Sequence, residues 1–409
     1  MKILMLGWEL PPHNSGGLGV ACLNLSKALA KMGADIDFVV PYESDHHFDY
    51  MNVLSATHVD PLFRYGGASN GAYESKNIEK QIFPEANCEG LVSIRDIQKN
   101  YIRFVERYLM QFKPDVVHAH DWLTYEAGIL AKKNFGIPLV AHVHATEFDR
   151  GGENGGNPLI HQIEYEGLLW ADKIIAVSEA TKHIIVEKYG IPADKIDVAY
   201  NGFTAPDDDY QYDGSSYQYL EGLKNKGYTV VSTVGRFTLQ KGLAHMMRAA
   251  ARAISIHPKM VFLFAGDGEQ REELMRMSAE LGISSNVIFT GFIRGKQLRD
   301  IYSISDVFVM SSVSEPFGLT ALEAAHHGNA LIITKQSGVG EVLRSIVRYD
   351  FWDEDKLASA LVNIAESPAL TEILKGGIRR EYARISWDDV AKKCLEVYDE
   401  VSRNRRNRF

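Results

Sequence analysis

Cysteine, excess positive charge and long apolar runs are all scarce in this 409-residue sequence. Its three cysteines, Cys22, Cys88 and Cys394, stand far apart, and no pair has the spacing of a disulfide framework or a zinc knuckle. The formal net charge is -9, so the overall field does not favour nucleic acid or an anionic membrane. No apolar run approaches a membrane span, and the start, residues 1–9, predicts a strand rather than a signal peptide. We therefore expect a reduced, cytoplasmic protein without nucleic-acid partners and without membrane association.

The chain is longer than one hydrophobic core usually serves, which predicts two domains. Short runs rich in Val and Ile alternate with amphipathic stretches, the pattern of βα units around a parallel sheet buried on both faces. The predicted strands are 3–6, 37–40, 116–119, 139–142, 173–177 and 196–198 in the first half, and 229–234, 260–264, 287–290, 306–310 and 330–334 in the second. The expected fold class is α/β, with two Rossmann-like doubly wound parallel sheets.

The domain boundaries follow from where this alternation stops. Residues 1–205 and 229–385 are the two predicted domains, and the polar stretch 206–228 is interpreted as the connection between them. Residues 386–409 are predicted to form a last amphipathic helix, expected to pack back toward the first domain, and a solvated arginine-rich tail. The sequence does not specify an oligomeric state.

The first motif is the glycine run 16–19, placed between the first strand and a helix predicted at about 20–32. Glycines such as Gly16 and Gly17 let an anion approach backbone N–H groups at the positive end of a helix. The alternative is a tight turn that binds nothing. Residues 11–15 lengthen the turn, so it is not the compact fingerprint of a dinucleotide-binding fold.

The second motif, 235–242, directly follows a predicted strand. Arg236 and Lys241 lie five residues apart on a loop that opens a helix, so they can grip two phosphates of one diphosphate. In an acidic chain, positive charge concentrated at a ligand-facing strand end is informative. The alternative is a solvated pair of cations on a loop.

The third motif runs from Glu315 to Glu323. A proline suits a first helical turn, so we expect a helix to begin near Pro316, with N–H groups free for phosphate on Phe317, Gly318 and Leu319. The two glutamates are eight residues apart, or about 12 Å along a helix axis. Glycosidase carboxylates lie closer, at about 5 to 9.5 Å, so this pair suits two ends of one extended ligand. The alternative interpretation makes Glu315 a helix cap and Glu323 a surface residue.

The fourth motif is a pair of histidine clusters at strand ends. His118 and His120 share one strand face, and His142 and His144 share another. This spacing is a familiar metal-ligand pattern. The second half of the chain offers no further ligands of comparable spacing, as a binuclear hydrolase would need, and one histidine of each pair is equally consistent with a satisfied core residue.

Paired aspartates of the D-x-D type occur at 35–37, 207–209 and 353–355. A metal-dependent transferase would present such a pair at a strand end that faces its donor. These lie at a strand start, in the predicted connection and near a C-terminal helix, so we predict no metal site from them.

Together these segments resemble the retaining GT-B glycosyltransferases, in particular glycosyltransferase family 4 and its glycogen and starch synthase-like members. The resemblance covers nearly the whole chain, through residues 8–19, 118–122, 142–150, 235–242, 315–323 and 335–341. Their occurrence in this order is far more specific than any single motif. The resemblance implies two domains that face a central cleft, and chemistry without a metal or other cofactor.

The resemblance also implies catalytic roles. Glu315 would contact the sugar at the reacting end, His144 would bond to the sugar, and Asp121 would lie near the acceptor. The configuration of the sugar would be retained, because the departing phosphate oxygen takes the acceptor proton on the face of attack.

Donor binding is the third implication. Arg236 and Lys241 would bind the diphosphate and Glu323 the ribose hydroxyls, with the base near 266–268 and 292–293. The complete predicted donor-binding set is Gly16, Gly17, Arg236, Lys241, Gly268, Phe292, Phe317, Gly318, Leu319, Thr320 and Glu323.

The expected reaction is transfer of a hexosyl group, with glucose as the expected sugar, from a UDP- or ADP-sugar to a glucan or other carbohydrate acceptor. Bacterial ADP-glucose synthases usually carry a lysine where this chain has Asn14 and commonly lack the second glutamate, Glu323, so the nucleotide stays open. The segment 144–150 favours glucan synthesis. The alternatives are a family 4 enzyme with a lipid or small-molecule acceptor, a metal-dependent hydrolase, and a sensor that binds sugar nucleotides without turnover.

Overall fold

A computed structural model describes residues 1–14, 16–59, 93–152, 155–205 and 210–406. Contacts divide the chain into two compact units. The first unit comprises Met1–Gly202 together with Ser386–Phe409, and the second unit comprises Phe203–Ile385. None of the described helices combines the length and the apolar character that a membrane crossing requires.

The first unit is built on a seven-stranded parallel sheet with the order β3-β2-β1-β4-β5-β6-β7. Its strands are β1 (Lys2–Leu6), β2 (Asp35–Val40), β3 (Asn52–Ser55), β4 (Val116–His120), β5 (Leu139–Val143), β6 (Lys173–Ala176) and β7 (Ile196–Val198). The connecting helices are α1 (Gly17–Lys31), α2 (Ile94–Gln111), α3 (Trp122–Phe135), α4 (Glu147–Gly151), α5 (Pro158–Trp170) and α6 (Glu179–Tyr189). The central strands β4 and β5 are buried along their whole length, as expected for a sheet covered on both faces.

The second unit contains a six-stranded parallel sheet with the order β10-β9-β8-β11-β12-β13. Its strands are β8 (Thr229–Val234), β9 (Met260–Ala265), β10 (Val287–Gly291), β11 (Val307–Met310), β12 (Ala330–Thr334) and β13 (Val347–Tyr349). Its helices are α7 (Gln218–Lys224), α8 (Leu243–Ile256), α9 (Arg271–Glu280), α10 (Gly295–Ile304), α11 (Leu319–His326), α12 (Glu354–Glu366) and α13 (Pro368–Tyr382).

The last helix, α14 (Trp387–Arg406), packs on the first unit. Its apolar face is buried, including Cys394 and Tyr398. The Tyr398 hydroxyl lies 2.6 Å from Nδ1 of His118, and Lys31 forms a 2.7 Å ion pair with Asp388. The chain therefore returns to its first sheet after completing the second.

In both sheets the order in which successive strands are added reverses at the centre. The order changes between β1 and β4 in the first unit and between β8 and β11 in the second. Ligands of doubly wound sheets bind outside the carboxyl ends of the strands at such switch points. The predicted fold class of two doubly wound parallel sheets is confirmed, and each sheet offers one switch point for a site.

Three features differ from the sequence-based expectations. Strands β3 and β13 were not predicted, because each is a short edge strand of four or three residues with little apolar character. The stretch 206–228 is not simply a connection, since its described part, 210–228, belongs to the second unit and contains α7. Leu220 of α7 is buried against Val230 and Leu263, which explains why a polar stretch with few apolar residues still docks.

Candidate functional site

The turn after β8 carries the two cations predicted to bind phosphate. Lys241 Nζ lies 2.6 Å from Oε2 of Glu315, which follows β11, so the two strands at the switch point are joined by an ion pair. Gly242 has φ +59°, and a Cβ added there would overlap the carbonyl oxygen of Ser311. The turn can approach β11 this closely because it has a glycine at that point. Arg236 is half-buried on the same turn.

Glu315 is held by two donors. Besides Lys241, the hydroxyl of Ser312 donates to its Oε2 at 3.0 Å. Only 13% of the Glu315 side chain and 23% of the Lys241 side chain are exposed, so solvent screens this pair less than a surface pair. Both residues line a cavity of about 10 Å³ to which Gly235, Ser312 and Thr320 also contribute. The structure thus brings Lys241 of the second motif together with Glu315 and Thr320 of the third.

The helix expected near Pro316 begins three residues later, at Leu319. Glu315 pairs in parallel with Ser337 as an extended segment, and the N–H of Val339 donates to the carbonyl of Phe317 at 2.7 Å. These bonds tie 315–317 to the segment around Ser337 and override the helix preference of a first-turn proline. Gly318, with φ +109°, makes the turn into α11. The first helical N–H groups are therefore those of Leu319 and Thr320, and the predicted donors Phe317 and Gly318 precede the helix.

Glu323 lies on α11 away from Glu315. Its Oε2 accepts a 2.7 Å hydrogen bond from the hydroxyl of Tyr302 on α10. Burial raises the pKa of Glu323, and the Tyr302 hydrogen bond opposes that rise. The two glutamates therefore have separate partners, as expected for contacts to different parts of one ligand.

The turn after β9 packs against the turn after β8. Gly266 and Gly268 have φ +139° and +157°, and the N–H of Phe237 donates to the carbonyl of Asp267 at 2.8 Å. Phe292, which follows β10, is 61% exposed and lies beside Arg294, whose guanidinium carbon is 4.7 Å from the ring centroid. Gly268 and Phe292 are thus at the carboxyl end of the same sheet, and Phe292 offers an open aromatic face to a planar ligand.

In the first unit, the glycine run lies within α1 rather than before it. The helix starts at Gly17, with Gly16 as an extended cap, three residues earlier than predicted. Leu18 is buried and Gly19 packs against the backbone of Glu9, so the run is the first helical turn resting on the preceding loop. The expected N–H donors remain available, because the first helical turn has no intrahelical acceptors.

The four histidines of the fourth motif form one buried cluster at the ends of β4 and β5. His118 Nε2 lies 3.2 Å from His142 Nδ1, and His120 Nδ1 lies 2.9 Å from His144 Nε2. Burial lowers the pKa of each ring, to about 3 for His118 and His144, so the cluster is neutral at physiological pH. His120 Nε2, His142 Nε2 and His144 Nδ1 have no hydrogen-bond partner among the described residues.

Asp121 connects β4 to α3 in an uncommon backbone conformation. It has φ +58° and is the one described residue other than glycine with positive φ. Its Oδ1 accepts hydrogen bonds from the backbone N–H groups of His144 at 2.7 Å and Ala145 at 3.4 Å. Burial raises the pKa of Asp121 to about 7, although Arg150 opposes the rise. Such conformations at the end of a strand are typical of functional sites, and this one brings two predicted catalytic residues together.

A polar network missed by sequence reasoning supports the loop after β5. Arg150 lies between Glu147, at 2.9 Å, and Glu164, at 2.5 Å, and Tyr189 donates to Glu164. Thr146 caps α4 in a reciprocal bond with Asp149. Residues 146–150 therefore shape the loop that carries His144, and the spacing of Thr and Asp was the available signal.

The described aspartate pairs have structural partners. Asp37 accepts from the hydroxyl of Tyr108 and from Asn52 at 2.9 Å, at the edge of the sheet. Asp353 caps α12. The pair at 207–209 lies outside the described residues. One aspartate of each described pair therefore has a structural partner.

Comparison with known families adds independent information. The profile described as Glycosyltransferase Family 4 matches residues 15–205, and the profile described as Glycosyl transferases group 1 matches residues 221–372. A glycogen synthase from Mycobacterium tuberculosis is 28% identical over 413 residues, covering 99% of this chain and 96% of that protein. A D-inositol 3-phosphate glycosyltransferase from Rhodococcus opacus is 30% identical over 403 residues, covering 94% of this chain and 86% of that protein.

Solved structures resemble the chain over almost its whole length. A sucrose-phosphate synthase from Thermosynechococcus elongatus superposes with a TM-score of 0.75 at 19% identity, covering 98% of this chain and 99% of that chain. The catalytic domain of starch synthase IV from Arabidopsis thaliana, bound to ADP and acarbose, gives 0.72 at 16% identity, with coverage of 98% and 99%. Anabaena HepE in complex with UDP-glucose gives 0.71 at 18% identity, with coverage of 98% and 100%. At these identities the likeness concerns the fold.

Proposed function

We propose that this chain, which belongs to glycosyltransferase family 4 and has the GT-B fold, is a retaining, glycogen synthase-like hexosyltransferase. Its donor would be a UDP- or ADP-sugar, with glucose as the sugar, and its acceptor a glucan or another carbohydrate. One observation carries the proposal: the Lys241–Glu315 pair and the start of α11 meet at the switch point of the second sheet. A cation and helical N–H groups at one point suit a diphosphate.

The second unit would stabilise the leaving group. When the bond between the sugar carbon and the phosphate oxygen breaks, negative charge grows on the diphosphate. Arg236, Lys241 and the N–H groups of Leu319 and Thr320 would stabilise that charge. The new bond forms between the same carbon and the acceptor oxygen, and the acceptor proton passes to the departing phosphate oxygen.

His144 and Asp121 of the first unit would lie near uncharged hydroxyl groups of the sugar and the acceptor. His144 is a neutral imidazole, so it would exchange hydrogen bonds with a sugar hydroxyl rather than attract phosphate. Asp121 fixes the backbone of His144 and would lie near the acceptor. Gly16 and Gly17 remain predicted donor contacts of this unit.

The direct test is a transfer assay with purified protein. UDP-glucose and ADP-glucose are each incubated with glycogen, and nucleotide release and chain extension are measured. Release and extension with one donor support the proposal. Release with neither donor contradicts it, and tight donor binding without transfer to any acceptor would indicate a sensor.

A different acceptor is the nearest alternative. The D-inositol 3-phosphate glycosyltransferase relative favours it, because the chain is about equally similar to that protein and to the glycogen synthase. Inositol phosphate and a polyprenyl phosphate are therefore assayed with the same donors. Transfer to either of them, without extension of glycogen, would replace the glucan in the proposal.

Metal chemistry at the histidine cluster is the second candidate. Among the described residues, two groups could hold a metal ion, because the potential ligand atoms within each group lie within 4.8 Å of one another. One group is Cys22, His120 and His144, and the other is His118, His120 and His142. A hydrolase built on these groups would contain stoichiometric zinc or manganese and lose activity to a chelator. Transfer that is unchanged after chelation favours the glycosyltransferase proposal.

A further inference from the structure

The carboxylate of Glu323 has a side-chain partner that the sequence analysis did not identify. The Tyr302 hydroxyl donates to its Oε2 at 2.7 Å, and Tyr302 is 1% exposed. Within the part of the chain that the structure describes, no cation forms an ion pair with Glu323. Tyr302 is therefore the group that acts on this carboxylate directly.

Tyr302 is fixed from several sides. Its carbonyl accepts a 2.8 Å bond from Nδ2 of Asn329, which also bonds to the carbonyl of Ala324 on α11 and so ties the two helices together. Its ring stacks on His327 at 5.7 Å between centroids and contacts Phe308 at 5.9 Å. A ring held in this way gives the hydroxyl a single direction, toward α11.

Burial sets the charge states of Glu323 and of His327, which stacks on Tyr302. Burial raises the pKa of Glu323, whereas the Tyr302 hydrogen bond lowers it. Burial also lowers the pKa of His327 to about 4, so the ring that stacks on Tyr302 is neutral at physiological pH. Without the tyrosine hydroxyl, the carboxylate would lack its one described side-chain donor.

We propose that Tyr302 is a positioning residue for nucleotide binding: its hydroxyl fixes Oε2 of Glu323 and leaves Oε1 to accept hydrogen bonds from the vicinal hydroxyls of a ribose. The inference rests on the proposed function, because it assumes that the ligand at α11 is a nucleoside diphosphate. A vicinal diol presents two donors side by side, and a carboxylate oxygen has two lone pairs to receive them.

The test separates ribose recognition from general damage. The binding of UDP and ADP, and of their 2′,3′-dideoxy counterparts, is measured by calorimetry for the wild type and for Tyr302→Phe. The variant should bind the ribonucleotide about 5- to 10-fold more weakly, the effect expected from the loss of one typical hydrogen bond. Its affinity for the dideoxynucleotide should equal that of the wild type. In the transfer assay KM should rise by a similar factor while kcat stays within about twofold.

Two further variants sharpen the result. Tyr349→Phe is the matched control, because Tyr349 is a buried tyrosine of the same unit whose hydroxyl has no hydrogen-bond partner among the described residues. It should bind both nucleotides like the wild type. Glu323→Gln should lose ribonucleotide affinity, and adding Tyr302→Phe to it should cost little more, since the two residues act through one contact.

The outcomes distinguish the two proposals. If the wild type binds neither UDP nor ADP, the proposed function fails and this inference fails with it. If the wild type binds a ribonucleotide and Tyr302→Phe binds it equally well, the positioning role alone is overturned. Equal weakening of ribonucleotide and dideoxynucleotide binding also overturns it, because the effect would then be structural.

Discussion

The strand-to-helix turns of the two units reach uncommon backbone conformations with different residues. In the second unit the turns after β8, β9 and β11 use glycines with positive φ: Gly242, Gly266 and Gly318. In the first unit the turn after β4 uses Asp121, at φ +58°. Glycine permits close approach of neighbouring backbone, whereas Asp121 supplies a carboxylate that holds the His144 loop. The glycine turns therefore need the absence of a side chain, whereas the turn after β4 needs the Asp121 carboxylate as a hydrogen-bond acceptor.

The two units also differ in charge at these turns. Lys241 and Glu315 form a partly exposed ion pair in the second unit, whereas the first unit holds four neutral histidines. Asp121 is buried with a raised pKa. Under the proposed function, the charged site suits a diphosphate and the neutral site suits hydroxyl groups. The following experiments test this contrast between the two units.

The largest effect is expected at the ion pair. Lys241→Ala and Glu315→Ala should each lower kcat in the transfer assay by about 10²- to 10³-fold, since each removes a preorganised charge from the site. The melting transition is recorded alongside, so that a loss of turnover is attributed to the site only if each variant still unfolds cooperatively. Lys335→Ala is the control, since it breaks an exposed 2.8 Å pair with Asp350 in the same unit. Near-normal turnover of either site variant would show that the assignment of the site is wrong.

A smaller effect is expected where backbone space is the constraint. A Cβ at Gly266, which has φ +139°, would overlap the carbonyl oxygen of Gly235. Gly266→Ala should therefore lower the free energy of unfolding by about 3 to 5 kcal/mol, measured by urea titration. Gly282→Ala is the comparison, because its φ is +71° and nothing lies within 4 Å of an added Cβ. It should cost about 1 to 2 kcal/mol, and equal losses would contradict the account of close approach.

The third effect is a pH dependence in the first unit. Burial raises the pKa of Asp121 from 3.8 to about 7, so between these values the folded state holds a proton that the unfolded chain releases. Stability should therefore fall as pH rises through this window. Asp121→Asn keeps an acceptor for the His144 N–H but does not titrate. The stability of the wild type relative to this variant should fall by about 2 to 3 kcal/mol between pH 5 and pH 7.

The control for this titration is Asp194→Asn, at an exposed position of the same unit. This variant shows how much of any slope comes from replacing an exposed carboxylate alone. A flat difference for Asp121→Asn would show that Asp121 is ionised in the folded protein, and the contrast between a charged and a neutral site would weaken.

Sequence reasoning was most accurate where a local pattern and the fold agree. The central strands were predicted almost to the residue, because buried parallel strands read as continuous apolar runs. Prediction from the sequence failed where contacts with a distant segment override a local conformational preference. Residues 315–317 stay outside the helix because their backbone bonds to residues near Ser337, and α7 docks because Leu220 reaches the core formed with Val230.

The same division applies to the candidate site. The motifs that contain Arg236, Lys241, Glu315 and Glu323 could be recognised in the sequence because each motif directly follows an apolar strand. The role of Tyr302 could not be predicted from the sequence, because a tyrosine at a helical position has the pattern of any core residue. Only the structure shows that its hydroxyl donates to Glu323. The contact of Tyr398 with His118 could not be predicted either, because the two residues are 280 positions apart in the sequence.

The sequence by itself determined the two parallel sheets, the family and the residue types at the strand ends. The physical reason is that apolar periodicity and glycine or charged residues at turns act over a few positions along the chain. Only the tertiary structure decided which charges meet, which histidines lie together and which hydroxyl orients which carboxylate. Those contacts join residues far apart in sequence, and burial, which sets their charge states, exists only once the units have packed.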